Sequence, residues 1–235
     1  MQSLSSLRSF FISSLVFLFA GCSSNEIGFS ADVNQQSIWQ DYVIEYEEGK
    51  DNVDVFCQFR FAGENGTTLV LSKPAKIELD GKSIKVDSSD FTGAFYKADK
   101  PVAGFFGDHQ LRYTDINGKK YENSFSLNTF RLENIPASIK RDQPLLIQYD
   151  IAVPLKADDY IEIVSDHTDS SFTVTHHYNE GDKIVIPQNE LVRQKGNSLT
   201  IIATLYRKEA LQQKTNEGGE IKIAYTLKPL SIKLN

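Results

Sequence analysis

The sequence predicts an all-β protein, and three features support this fold class. Apolar and polar residues alternate with a period of two along most of the chain after residue 36, as is typical of half-buried strands. The dipeptides Asp80-Gly81 and Asn117-Gly118 stand between such stretches, and these residue types tolerate the positive φ angles of tight hairpin turns. Helical character is confined to residues 208–214, which we expect at the tip of a long hairpin between the last two major strands.

The strands are expected in a regular series along the chain. Residues 53–61 alternate around Cys57, and short strands at 77–79 and 84–86 flank Asp80-Gly81. A hairpin is expected from 111–113 to 121–127, with Asn117-Gly118 as its turn. In the second half, alternation predicts strands at 145–153, 160–164, 172–175, 184–186, 199–205 and 221–227.

The number and spacing of these strands favour two domains. About 14 candidates recur at roughly 8–12 residues, which is the spacing that paired sandwiches produce. We therefore predict one β-sandwich at residues 37–130 and a second at 131–235, each long enough for its own core. Pro136 and Pro144 suit sheet edges at the start of the second unit. One elongated sandwich or jelly roll is the alternative fold.

The N-terminus has the pattern of a cleaved leader. Arg8 precedes an apolar run at residues 10–19, and small residues follow at Ala20 and Gly21, immediately before Cys22. This ending resembles the lipobox of bacterial lipoproteins, although Phe19 stands where that family usually has Leu. The resemblance implies a signal peptide at 1–21 and lipidation of Cys22 with acyl chains such as palmitate. An ordinary secreted protein is the alternative.

The lipoprotein resemblance also implies a location. Ser23 stands where inner-membrane lipoproteins carry Asp, so the resemblance implies an outer-membrane anchor, on the periplasmic face or at the cell surface. Residues 22–36 are polar and are predicted to form a lipidated tether. At the level of architecture, residues 37–235 resemble envelope lipoproteins built from tandem immunoglobulin-like sandwiches.

Charge and cysteine content exclude several classes of function. The formal net charge is −6 and no basic cluster is present, so a nucleic-acid partner is not expected. If Cys22 is lipidated, Cys57 has no cysteine partner in the chain. Cys57 lies on an apolar face of its strand, which favours a buried thiol that packs as a small hydrophobe.

Catalytic and metal-binding patterns are not found in the sequence. Neighbouring residues His176 and His177 point to opposite faces of a strand, and His167 lies in a polar turn. Paired acids such as Asp158-Asp159 are common, but nothing brings two carboxyls together across a cleft. We therefore expect no enzyme activity, no cofactor and no metal, with a hydrolase at the domain junction as the weakest alternative.

Aromatic residues provide the candidate contact site. The segment 91–107 is rich in glycine and contains two doubled aromatics, Phe95-Tyr96 and Phe105-Phe106. On a strand, one ring of each pair must face away from the core, where it could contact an envelope protein or a glycan. Packing of the outward rings against a loop or the second domain is the alternative. The sequence thus predicts a non-enzymatic interaction or scaffold module, with carbohydrate binding as the second hypothesis.

Overall fold

A computed structural model describes residues 27–89, 93–166, 173–178, 181, 183–194 and 196–235. Nothing is described for the side chains of residues 88, 89, 166 and 173–176. The predicted leader, Cys22, Ser23, Phe91 and His167 lie outside the described residues.

The described part of the chain is almost entirely β-structure, as predicted. The strands of the first half are β1 (Ile27–Phe29), β2 (Ile38–Glu47), β3 (Asn52–Phe61), β4 (Thr67–Val70), β5 (Lys76–Leu79), β6 (Lys82–Ser83), β7 (Val86–Ser89), β8 (Gly93–Pro101), β9 (Gly107–Thr114) and β10 (Lys120–Leu127). The second half contains β11 (Phe130–Glu133), β12 (Ser138–Ile139), β13 (Leu145–Ile151), β14 (Tyr160–Asp166), β15 (Thr173–Tyr178), β16 (Lys183–Ile186), a short helix α1 (Gln188–Arg193), β17 (Ser198–Ala210), β18 (Gly219–Thr226) and β19 (Leu230–Leu234).

The first half is a two-sheet sandwich with immunoglobulin-like connectivity. One sheet has the order β2-β3-β8-β7, and the other has the order β10-β9-β5-β6. If β2, β3, β5, β6, β7, β8, β9 and β10 are lettered A, B, C, C′, D, E, F and G, these are the ABED and GFCC′ sheets of an immunoglobulin domain. Strands β1 and β4 pair in parallel and extend the first sheet beyond the end of β3.

The second half repeats this connectivity with different edges. A three-stranded sheet, β11-β13-β16, corresponds to strands A, B and E. The facing sheet runs β12-β19-β17-β14-β15, in which β12 joins β19 in parallel, as an A′ strand joins strand G. The long strand β17 pairs with β19 near its start and with β18 near its end. The fold is therefore all-β, with two tandem immunoglobulin-like sandwiches.

The two sandwiches share one sheet. Strand β18 pairs in parallel with β2 over eight residue pairs, from Gly219 opposite Gln40 to Thr226 opposite Glu47. On the inner face, Ile221 lies beside Tyr42 and Ile223 beside Ile44, and all four side chains are buried. The buried apolar residues of both halves consequently form one contiguous cluster. The domain boundary predicted at residue 130 stays a prediction.

The turn between β17 and β18 closes the open side of the first sandwich. We call residues 211–218 the hairpin tip. Gln212 exchanges two hydrogen bonds with the backbone of Ser124 on β10, at 2.7 and 3.0 Å. Gln213 accepts from the Glu122 N–H at 3.0 Å, and Leu211 is buried. The tip therefore forms hydrogen bonds with the backbone at the edge of β10, and β18 does the same for the edge of β2. Strand edges whose backbone groups stay unpaired promote aggregation.

Several local predictions need correction. Residues 27–36, predicted as part of a polar tether, instead form β1 and short 3₁₀ turns, because β1 pairs with β4 and Gln35 donates hydrogen bonds to backbone carbonyls. The turn at Asn117-Gly118 is a five-residue loop rather than a two-residue turn, since the buried Asp115 carboxylate accepts two backbone N–H bonds within it. The hairpin tip is not helical, and α1 was not predicted.

Cys57 is buried in the core, as predicted. Its side chain is fully enclosed between β2 and β8, and no disulfide is formed. Burial raises the pKa of the thiol, which suppresses the thiolate form needed for nucleophilic chemistry.

Candidate interaction surface

The outer face of the shared sheet carries a row of side chains that crosses both sandwiches. Paired residues of neighbouring strands point to the same side of a sheet, so the register defines this row directly. From the first half to the second it contains Asp99, Asp54, Glu45, Ala224, Tyr206 and Tyr160. Acids therefore occupy one side of the junction and aromatic rings the other, with a single small residue between them.

A groove lies above that small residue. Tyr206 stacks on Tyr160 of the adjacent strand, with ring centroids 4.9 Å apart and an interplanar angle of 29°. Because the Ala224 side chain is only a methyl group, a depression of about 330 Å³ remains between the Tyr206 ring and β2. We call this the Ala224 groove; its lining includes acidic, basic and apolar side chains, namely Val43, Glu45, Asp158, Tyr160, Tyr206, Arg207, Lys208 and Lys222.

A second, more polar depression adjoins the groove at Glu45, Tyr206 and Ala224. Its volume is about 590 Å³, and its lining includes Glu47, Lys50, Asp51 and Asp54. Pockets at the junction of two domains are common ligand sites, because two surfaces create a concavity that neither has alone. The two depressions share Glu45, Tyr206 and Ala224 and lie side by side at the junction.

The lysines near the groove are already paired with acids. Lys222 contacts Glu220 at 2.7 Å and Asp41 at 3.3 Å, and Lys208 also contacts Glu220. Burial alone would raise the pKa of Glu220, but hydrogen bonds from Lys208 and Lys222 outweigh it and lower the pKa. For Asp41, burial dominates and raises the pKa in spite of Lys222. The two ammonium groups, which also line the groove, are thus held by ion pairs.

Some carboxylates that line the two depressions have no such partner. In the described part of the chain, no ion pair involves Glu45, Asp51 or Asp158, whereas Lys97 bridges Asp54 and Asp99 at 3.2 and 3.1 Å. The two depressions therefore present uncompensated negative charge beside an aromatic wall. The hypothesis of a hydrolase at this junction stays a prediction.

The aromatic pair at 95 and 96 is divided between the two faces of β8. Phe95 is half-buried on the outer face, where it stacks on Phe56 with centroids 5.0 Å apart. Tyr96 is only 4% exposed, and its hydroxyl accepts a hydrogen bond from the Leu71 N–H at 2.7 Å. Tyr96 is thus a core residue, which corrects its prediction as a ligand contact. The contact role of Phe95 stays a prediction.

The second aromatic pair lies in the turn between β8 and β9, and one of its rings is buried while the other is partly exposed. Phe105 is buried beneath His109, whose ring stacks on it with centroids 3.9 Å apart and whose Nε2 lies 2.6 Å from the Phe105 carbonyl oxygen. Phe105 is therefore a core residue, and its predicted contact role is also corrected. Phe106 remains 39% exposed, but its ring also packs near Tyr46 and Tyr225 at the junction, with ring centroids 5.6 and 6.1 Å apart. Its contact role stays a prediction.

The histidines give no metal site within the residues that the structure describes. His177 lies 3.1 Å from Glu162 across β14 and β15, and its ring contacts Tyr160. No group of three or more His, Cys, Asp or Glu side chains in the described ranges could hold a metal ion.

The groove residues Glu45, Tyr206 and Ala224 were not selected from the sequence. Tyr206 occupied a non-core position of a clearly alternating strand, and an aromatic residue there is the signal that could have identified it. The position of Glu45 beside it depends on the pairing of β2 with β18, which no local pattern reveals.

Comparison with known proteins provides structural likeness alone. No protein-family model matches the chain, and no curated protein matches it. Among solved structures, the two immunoglobulin domains of DIP-gamma match at 12% identity and a TM-score of 0.22, over 81% of this chain and 94% of that chain. A structure concerning host cell surface retention of a bacterial ice-binding adhesin matches at 9% identity and a TM-score of 0.25, over 86% of this chain and 66% of that one. Scores this low say nothing about what the chain binds.

Proposed function

We propose that this chain is a non-enzymatic interaction module that is lipid-anchored to the bacterial outer membrane. The observation that carries the interaction role is the concave, charged and aromatic feature at the junction of the two sandwiches. Immunoglobulin-like sandwiches provide a rigid support, and a groove that spans two of them has a fixed geometry for a partner.

The anchor is supported by the sequence of the leader. Ala20-Gly21-Cys22 follows an apolar run that is too short for a spanning helix, and two acyl signals hold a protein stably on a membrane. None of the helices in the described residues is long and apolar enough to cross a membrane. Residues 23–26 would then connect the lipid to β1, so the first sandwich would lie close to the bilayer.

Membrane fractionation tests the anchor. Mass spectrometry should find diacylglycerol and acyl chains on Cys22, and Cys22→Ala should release the protein from membranes. Ser23→Asp should move the protein to the inner membrane, whereas Ser24→Asp, one residue further along, serves as the control. An unmodified Cys22 in a mature protein that still carries its leader would contradict the anchor.

Crosslinking in intact cells tests the interaction role. A photo-crosslinking residue at Thr226, which borders the polar depression, should capture a defined partner. The same residue at Glu133, which is exposed on the three-stranded sheet of the second sandwich, should not. Equal capture at both positions would indicate nonspecific proximity and would count against the junction as the contact surface.

A second candidate function is carbohydrate binding. It is favoured by the half-buried rings on the outer face, Tyr206 beside the groove and Phe95 stacked on Phe56, each of which lies near polar side chains. Aromatic rings of this kind can pack against the apolar face of a sugar.

A further inference from the structure

We propose that the Ala224 groove binds an arginine side chain presented by a protein partner. This inference rests on the proposed interaction function and adds the chemistry of the contact. Three observations carry it: the width of the groove, the free face of the Tyr206 ring, and the unpaired Glu45 carboxylate across Ala224 from that ring.

The register sets the width of the groove. Tyr206 and Glu45 are both direct neighbours of Ala224, on opposite sides of β18. Adjacent strands lie about 4.8 Å apart, so the two side chains stand on lines separated by about 9.6 Å. A stacked planar group needs about 3.5–4.0 Å on each side. The space above Ala224 therefore accommodates one planar layer between the Tyr206 ring and the Glu45 side chain.

The Tyr206 ring has one face available for this layer. Tyr160 covers the face toward β14, and the other face borders the groove over Ala224. Val43 adds an apolar surface at the floor. A planar group that enters here can stack one face on the Tyr206 ring, and the flexible Glu45 side chain can then reach the edge of the group, where in-plane N–H donors point.

Charge selects the guanidinium among planar groups. Glu45 and Asp158 line the groove and have no ion-pair partner in the described residues, while Lys208 and Lys222, which also line it, are bound to Glu220. Guanidinium is flat, weakly hydrated, stacks on aromatic faces and forms bidentate bonds with carboxylates. A lysine ammonium cannot fill the planar layer, and a neutral sugar would cover these carboxylates without compensating their charge.

The test uses the intact protein in detergent micelles with ¹³C-methyl-labelled alanine, so that the Ala224 methyl signal reports on the groove. N-acetyl-L-argininamide should shift this signal in a saturable manner, and N-acetyl-L-lysinamide should bind several-fold more weakly. Glu45→Gln should weaken the arginine derivative about tenfold, because a charged hydrogen-bonding partner is lost. Tyr206→Leu should weaken it as well, whereas the control Glu133→Gln should not.

Three outcomes would overturn the inference. Arginine and lysine derivatives of equal affinity, unaffected by Tyr206→Leu, would indicate a merely acidic surface. A shift caused by cellotriose but not by the arginine derivative would assign the groove to a glycan. If none of these compounds shifts the Ala224 methyl signal, the groove does not bind an arginine side chain. If crosslinking from Thr226 still captures a partner in that case, the proposed function stands and only the arginine contact fails.

Discussion

Leu211 at the hairpin tip should contribute strongly to the stability of the whole molecule. It is 5% exposed and belongs to the second half of the chain, yet the tip packs against the first sandwich. Truncation of a buried leucine to alanine costs about 2–5 kcal/mol, depending on how far the cavity collapses. We expect about 3 kcal/mol for Leu211→Ala, because the two edges that the tip bridges are fixed by hydrogen bonds and cannot close over the space.

Urea unfolding provides the measurement. With a denaturant dependence of about 2 kcal/mol per M, the midpoint should fall by about 1.5 M. Trp39, the single tryptophan, reports on the junction, since a Cβ added at Gly218 of the tip would lie 3.3 Å from its ring. The unfolding midpoints measured by Trp39 fluorescence and by far-ultraviolet circular dichroism should shift together. Leu146→Ala, at a side chain that is 54% exposed, is the matched control and should cost less than 1 kcal/mol. Equal shifts for the two variants would refute the argument that the tip is part of the core.

Four further results are expected. Asp159→Ala should cost about 3–5 kcal/mol in urea unfolding, because it leaves the Arg207 guanidinium, 3.2 Å away and 8% exposed, without its buried partner. Cys57 should resist a thiol reagent in the native protein and react on unfolding, since it is fully buried; rapid native labelling would contradict its placement. The pKa of Glu220 is lowered in the folded state from its ordinary value of 4.5. The contribution of Glu220 to stability is therefore present above pH 4.5 and is lost as the pH falls through the lowered pKa. Glu220→Gln should weaken this acid dependence of the unfolding free energy. Residues 37–130 expressed alone should lack a cooperative thermal transition, because the edges of β2 and β10 lose their cover; a sharp transition would instead support residues 37–130 as a unit with its own core.

Most individual strands could be predicted from the sequence, because the alternation of apolar and polar residues that marks a strand lies within its own residues. Alternation placed β13, β17 and β18, and Asp80-Gly81 forms the predicted two-residue turn with φ angles of 50° and 76°. The six residues of α1 were missed because fewer than two helical turns carry no measurable 3.6-residue period. The outward ring of the pair at 95 and 96 followed from the two-residue period, but the choice between Phe95 and Tyr96 did not; Phe105 and Phe106 lie in the turn between β8 and β9, where that period does not apply. It depends on which residue meets the backbone N–H of Leu71, and β8 and Leu71 are not adjacent in sequence.

The candidate site could not be predicted, because its decisive contact is a pairing between distant strands. β2 and β18 each appear in the sequence as ordinary half-buried strands, and nothing local requires them to be neighbours. A one-residue change in their register would move Glu45 away from Ala224 and turn the opposite side chains outward. The register is fixed instead by the inner face, where Tyr42, Ile44, Ile221 and Ile223 must all be buried together. The packing of the core thus determines which acid faces Tyr206 on the outer face, so a core substitution that shifts this pairing should alter binding at the groove without touching it.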